Sequence, residues 1–196
     1  EPATELRPPV AAGPDAKKFR DPQTALMSWN DKQMQWWYFT GHLKAKTGER
    51  FAYHLVFFER NTHLDYIGVV PSRWLAPRLF AAHFAITSID EKDPKKQFRY
   101  WHRGGFFENN LSYASQSSFH VEVGGSAAYD KPDGGLHLHA TSEGQTLSLE
   151  LTSQKDLCYH GKRGFSQRGA DPQVASYYCA FTRLHAKGKL VIDGHG

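Results

Sequence analysis

Residues 35–43 read QWWYFTGHL, residues 44–50 KAKTGER and residues 51–60 FAYHLVFFER. Two apolar runs alternating with period two, joined by a short polar stretch that contains glycine, are the signature of a β-hairpin. With the turn centred near Thr47, His42 faces Ala52, Thr40 faces His54, Tyr38 faces Val56 and Trp36 faces Phe58, all on one side. The opposite side then carries Trp37, Phe39, Leu43, Phe51, Tyr53, Leu55 and Phe57. Both faces are largely apolar, and a strand pair apolar on both faces needs neighbours on both. A closed barrel with a hydrophobic cavity inside, and a helix, terminal arm or second domain outside, meets that need.

The same alternation continues down the chain. Strands are predicted at 81–89, 97–106, 118–125, 135–142, 146–154, 175–185 and 189–193, bounded by glycine and proline turns, and almost no helix is expected. Nine strands suffice to close a lipocalin-like antiparallel β-barrel, so the fold class is all-β. Residues 1–23 hold five prolines and read as an extended N-terminal arm. Residues 24–185 form the barrel domain, and 186–196 are a hairpin end or the start of a link to a second barrel. The proline-broken stretch 65–80 fits a lid or a crossing loop.

Composition narrows the function classes. The 196 residues include 14% aromatics and carry a formal charge of +4. Lysine and arginine are interspersed with acids instead of forming a run, so no nucleic-acid partner is expected; Lys162, Arg163 and Arg168 read as a solvated loop. No stretch is apolar enough to span a membrane, although association with a membrane surface stays open. The chain begins at Glu1, as a processed or trimmed exported protein would. Cys158 and Cys179 are too few for a disulfide scaffold or a thiolate zinc site, and their pairing is left open.

The stretches WWYFTGHL, LVFFER, AHFAITSID, HGKRGFSQRG and ASYYCAFTRL, in this order, resemble the AttH and carotenoid 1,2-hydratase family. The resemblance implies two consecutive lipocalin-type barrels, export to the periplasm, cell envelope or exterior, and an apolar substrate of isoprenoid, lipid or polyketide type. One branch of that family adds water to isoprenoid double bonds, fungal relatives assist polyketide cyclisation, and many bacterial members are labelled predicted secreted hydrolases. In the family a second barrel bearing a Trp-x-Asp-His-Glu motif supplies the hydratase's proton donor. This chain ends at Gly196 after VIDG, so its partner barrel is expected in the same or another chain. The implied function is binding of an apolar small molecule; the alternative is a hydro-lyase or cyclase acting on an apolar alkene.

Candidate ligand-binding residues are Trp36, Tyr38, His42, His54, His83, His160, Tyr177 and Tyr178. A histidine in an apolar cavity can act as acid or base or can orient a ligand's one polar group. Ring faces suit an apolar or cationic guest. Neither a nucleophile elbow around Ser166 nor a phosphate loop at HGKRG has the required spacing. His137 and His139 share a strand face, with Glu150 opposite His137 across a tight turn, but a solvated strand face accounts for them and no metal is assigned. No cofactor is called for. Glu59, Asp65, Asp90 and Asp156 are the carboxylates nearest the aromatic blocks.

Overall fold

The computed structural model describes residues 25–28, 34–62, 66–67, 69–71, 78–105, 112–168 and 175–194. The predicted arm at 1–23 and half of 65–80 lie outside these residues; within the latter, Tyr66–Ile67 and Val70–Pro71 (β3 and β4) pair as a short antiparallel ladder.

The architecture is all-β and antiparallel. Met34–Lys44 (β1), Arg50–Asn61 (β2), Arg78–Ser88 (β5) and Phe98–Gly105 (β6) form a four-stranded sheet in the order β1-β2-β5-β6. A six-stranded sheet takes the order β16-β11-β10-β9-β8-β7. Its strands are Ser112–Ala114 (β7), His120–Val123 (β8), Ser126–Asp130 (β9), Leu136–Ser142 (β10), Gln145–Ser153 (β11) and Leu184–Ile192 (β16). The one described helix, Pro94–Gln97 (α1), is capped by Asp93, whose side chain accepts from the Lys95 backbone N–H at 3.0 Å.

The opening hairpin pairs as its alternation requires. His42 faces Ala52, Thr40 faces His54, Tyr38 faces Val56 and Trp36 faces Phe58. Gly48, at φ +100°, turns the chain, and its N–H donates to the Ala45 carbonyl at 3.0 Å. Gly124 and Gly125, both at positive φ, close the two-residue turn from β8 to β9. Six strands go beyond the predicted set: β3, β4, β7, β9 and the short Cys158–Tyr159 (β12) and Phe165–Gln167 (β13). The predicted single strand at 175–185 is broken into Ala175–Tyr177 (β14), Cys179–Ala180 (β15) and the start of β16, which also absorbs the predicted 189–193 strand.

Inner faces of the two sheets meet in one core. Leu55, Phe57, Phe84, Ile86, Val121, Leu138 and Leu147 have 0–1% of their surface exposed and pack with Trp37, Phe39 and Phe119. Close-packed side chains of this size occupy the space between the sheets. The sequence reading put a hydrophobic cavity there; core packing fills it, and the cavity lies instead at the sheet edges. Among the described residues the hairpin's outer face is only partly covered. Val56 is buried there, whereas Thr40, His42 and His54 are exposed and Tyr38 keeps 43% of its surface.

One end of the core is polar. The inward positions of β1, β2 and β5 run from rings to Gln35, Glu59, Asn61 and Arg78, all buried. Arg78 Nη1 donates to Glu59 Oε1 at 2.9 Å and to the Ala114 carbonyl at 3.0 Å, and Ser28 Oγ donates to Glu59 Oε2 at 2.7 Å. Segment 25–28 thereby seals this end and ties the two sheets together, with the Ser28 N–H donating to the Ser115 carbonyl at 3.0 Å.

Candidate functional site

The site arises from how the two sheets fail to join. β1 is an edge of the four-stranded sheet and β16 an edge of the six-stranded one, and among the described residues no ladder connects them. A long hairpin covers the gap. Its strands are Cys158–Tyr159 (β12) and Phe165–Gln167 (β13) on one side, and β14 and β15 on the other. The loop between β12 and β13 reverses through Gly161, Arg163 and Gly164, all at positive φ. The hairpin is fastened to the outside of β1 at two points. Arg168 lies over the Trp36 ring at 4.0 Å, and the Tyr38 and Tyr178 hydroxyls are 3.1 Å apart.

Between β1, this hairpin and the start of β16 lies a pocket of about 410 Å³. That volume falls within the range of small-molecule sites. Its wall is apolar where Leu26, Trp37, Phe39, Tyr53, Leu136, Phe181 and Leu184 contribute. Polar groups are interleaved with it: Gln35, Thr40, His42, Ser176, Thr182, Arg183 and the phenols of Tyr38, Tyr53, Tyr177 and Tyr178. Trp37 Nε1 is used by the Leu26 carbonyl at 2.6 Å. The Ser176 hydroxyl is different: the residue is 4% exposed, and its Oγ has no hydrogen-bond partner among the described residues. A buried hydroxyl without a partner forgoes about 1–3 kcal/mol of solvation, which a ligand oxygen or nitrogen can restore.

Of the candidate residues, Trp36, Tyr38, His42, Tyr177 and Tyr178 line this pocket. His160 stands one step behind, its ring stacked on Tyr178 with centroids 4.2 Å apart. His54 and His83 are elsewhere, on the outer face of the four-stranded sheet. There His83 meets Phe58, Tyr100 and His102 at centroid distances of 5.3, 5.7 and 6.3 Å. Burial holds the His83 imidazole below its ordinary pKa, and the nearby His102 and His54 charges add to the effect. The Tyr38 phenol is raised, chiefly by its bond to Tyr178. Ser176, Leu136, Phe181 and Leu184 escaped sequence reasoning. The only signal for Ser176 was a small hydroxyl between aromatic and aliphatic neighbours in a strand.

Most other chemistry-bearing groups have partners, although His137 Nδ1 and His160 Nε2 are buried without one among the described residues. Glu59 is bound by Arg78 and Ser28. His137 does face Glu150, but its Nε2 is 3.2 Å from Ser148 Oγ and its ring packs on Tyr129, while Glu150 bridges to Lys131 at 3.2 Å. Burial lowers the His137 pKa, with His139 adding to it. Among the described residues no three histidine, cysteine or carboxylate side chains converge as metal ligands. Cys158 and Cys179 are free thiols, and burial pushes Cys179 up to about 12. No described helix is long and apolar enough to cross a membrane.

An antiparallel, lipocalin-like β domain with a ring-lined pocket at an open seam is the class that fold and site define. The chain belongs to the AttH-like family, whose family model matches residues 16–196. Its fold is that of a crystal structure from Nitrosomonas europaea, provisionally assigned as an AttH, with a TM-score of 0.71 and 22% identity. That match covers 98% of this chain and 53% of the other, so the chain spans about half the length of the protein it resembles. Comparison with curated proteins gives no match.

Proposed function

We propose that the chain is a binding domain for an apolar small molecule of lipid, isoprenoid or polyketide type, held in the seam pocket. The observation that carries this reading is a ring-lined pocket of mixed polarity in which one buried hydroxyl, Ser176, has no partner among the described residues. Such a site favours a guest that is hydrocarbon over most of its surface and offers one oxygen or nitrogen. The enzymatic alternative, addition of water to an alkene or a related cyclisation, requires a strong general acid. The described lining offers phenols and His42 but no carboxylate, so binding is what the geometry supports best.

A second barrel, in the same or another chain, is the partner this reading calls for. The outer face of the four-stranded sheet supports it: Phe98 and Tyr100 keep 57% and 52% of their surface exposed. Export to the periplasm or beyond goes with the same reading. The binding test is titration with the neutral probe N-phenyl-1-naphthylamine, following quenching of Trp36 and Trp37. Saturable quenching that weakens in Leu136→Glu is expected; a linear, unsaturable response in the wild-type chain would remove the proposal.

A further inference from the structure

The seam does not end at the pocket. Past His42, Leu184 and Ala186 it widens into a mouth between the turn joining β1 and β2, the segment after β5, and the far half of β16. The floor of this mouth is apolar, built from Leu43, Phe51, Leu149, Leu190 and Ile192. Its rim is basic: Lys44 and Lys46 stand on one lip, Lys187 and Lys189 on the other, and Lys92 and Lys96 at the end.

The rim also holds two arginines and four carboxylates, and most of these neutralise one another. Arg50 binds Asp90 at 2.6 Å, and Arg99 binds Asp193 at 2.8 Å. Glu49 accepts from the Thr47 hydroxyl at 2.7 Å, and Glu91 from the Lys92 and Asp93 backbone N–H groups. Glu150, which faces Lys187 in register, already bridges to Lys131. No described carboxylate lies within ion-pair distance of the six rim lysines. Lysines on an exposed edge strand commonly serve to block edge-to-edge pairing, and that accounts for Lys187 and Lys189. It covers Lys44 too, at the end of edge strand β1, but not Lys46, Lys92 and Lys96, which sit on the β1–β2 turn, just before α1 and on α1 at the same opening.

We infer that the ligand is an anionic amphiphile, whose hydrocarbon body lies in the seam pocket and whose carboxylate or phosphate head rests among the rim lysines. The inference rests on the binding reading above and specifies its substrate class. Like charges crowded at one opening repel, and a bound anion relieves that repulsion while its tail covers the apolar floor. A purely hydrocarbon guest would leave Lys46, Lys92 and Lys96 without a role.

Matched probes separate the two levels. cis-Parinaric acid and its methyl ester share one polyene tail and differ only in head charge. At pH 7.5 and low ionic strength the acid is expected to bind about tenfold tighter, as several exposed charge contacts allow. That preference should collapse toward unity in 0.5 M NaCl and in the quadruple variant Lys44→Glu, Lys46→Glu, Lys187→Glu, Lys189→Glu, with ester affinity unchanged as the control for folding. Displacement of the acid by dodecanoate or dodecyl phosphate, but not by dodecanol, would support the inference and tell a carboxylate head from a phosphate one. Equal affinity for acid and ester overturns it while leaving the pocket reading intact, and failure of both probes to bind overturns both. Lysine-dependent pelleting with phosphatidylglycerol vesicles, without head-charge preference for the probes, overturns it in favour of membrane-surface contact.

Discussion

Of the places where this domain buries polar side chains, two do so in opposite ways. At the closed end, Glu59, Arg78 and Ser28 sit out of water, and the carboxylate receives both the guanidinium and the hydroxyl. At the seam, Ser176 is equally buried and its hydroxyl has no partner among the described residues. Satisfied burial reads as architecture, since each group fixes the position of another across three chain segments. Unsatisfied burial beside a ring-lined pocket reads as a place kept for something else.

The sharpest way to break this comparison is at the closed end. Arg78→Met takes the guanidinium away from the buried Glu59 carboxylate, and a loss of about 3–5 kcal/mol in urea unfolding is expected. Adding Glu59→Leu should recover most of that loss, because replacing both charges removes the desolvation problem altogether. A double variant as unstable as the single one would mean that the pair does more than balance itself.

The two serines give the next test, with smaller effects of opposite kind. Ser28→Ala removes a hydrogen bond to a charged group, worth about 1.5–3 kcal/mol of stability, and should leave probe binding unchanged. Ser176→Ala should leave stability within about 0.5 kcal/mol, or raise it, and weaken a hydroxyl- or carbonyl-bearing ligand by about 2- to 10-fold. Equal destabilisation by the two substitutions, in parallel chemical denaturation, would erase the distinction between the sites.

The smallest expected effect concerns the outer faces. His83 and His137 are both held below their ordinary pKa by burial, so the unfolded chain takes up their protons first. Their contribution is therefore complete above the unfolded value of about 6.5 and declines as the pH falls below it toward the folded values. Thermal midpoints at pH 7.5 and 5.5 should differ in that direction, and His83→Gln with His137→Gln should flatten the slope. An unchanged slope would move the acid sensitivity to other groups.

Much of the fold was legible because it is written in local alternation. The register of the first hairpin, from Trp36–Phe58 to His42–Ala52, follows from period two and a glycine turn, and the His137–Glu150 pairing from the short turn at Gly144. β9 escaped because Ser126, Ala127 and Ala128 are small and carry little apolar contrast. Glu59 looked like one more charge at a strand end, since its partners lie 31 and 19 residues away. The pocket was half legible. Rings of β1 and the Tyr177–Tyr178 step announced themselves, but the meeting of both with Leu136 and Leu184 depends on where two sheet edges stop, which no local pattern encodes. His54 and His83 share the ring-rich segments with the pocket residues yet point from a different strand position, away from the seam.

The hairpin that spans the gap between β1 and β16 acts as a gasket, not a weld. It is fastened to β1 by a guanidinium on an indole and by two phenols, contacts that exchange with water far more readily than a ladder of backbone bonds. Lifting this flap would leave every strand of both sheets paired and would part these contacts and the packing of Leu157, Tyr159, Tyr177 and Cys179 on Ala25 and Met27. Traffic through the domain need not be limited by how fast its walls unzip.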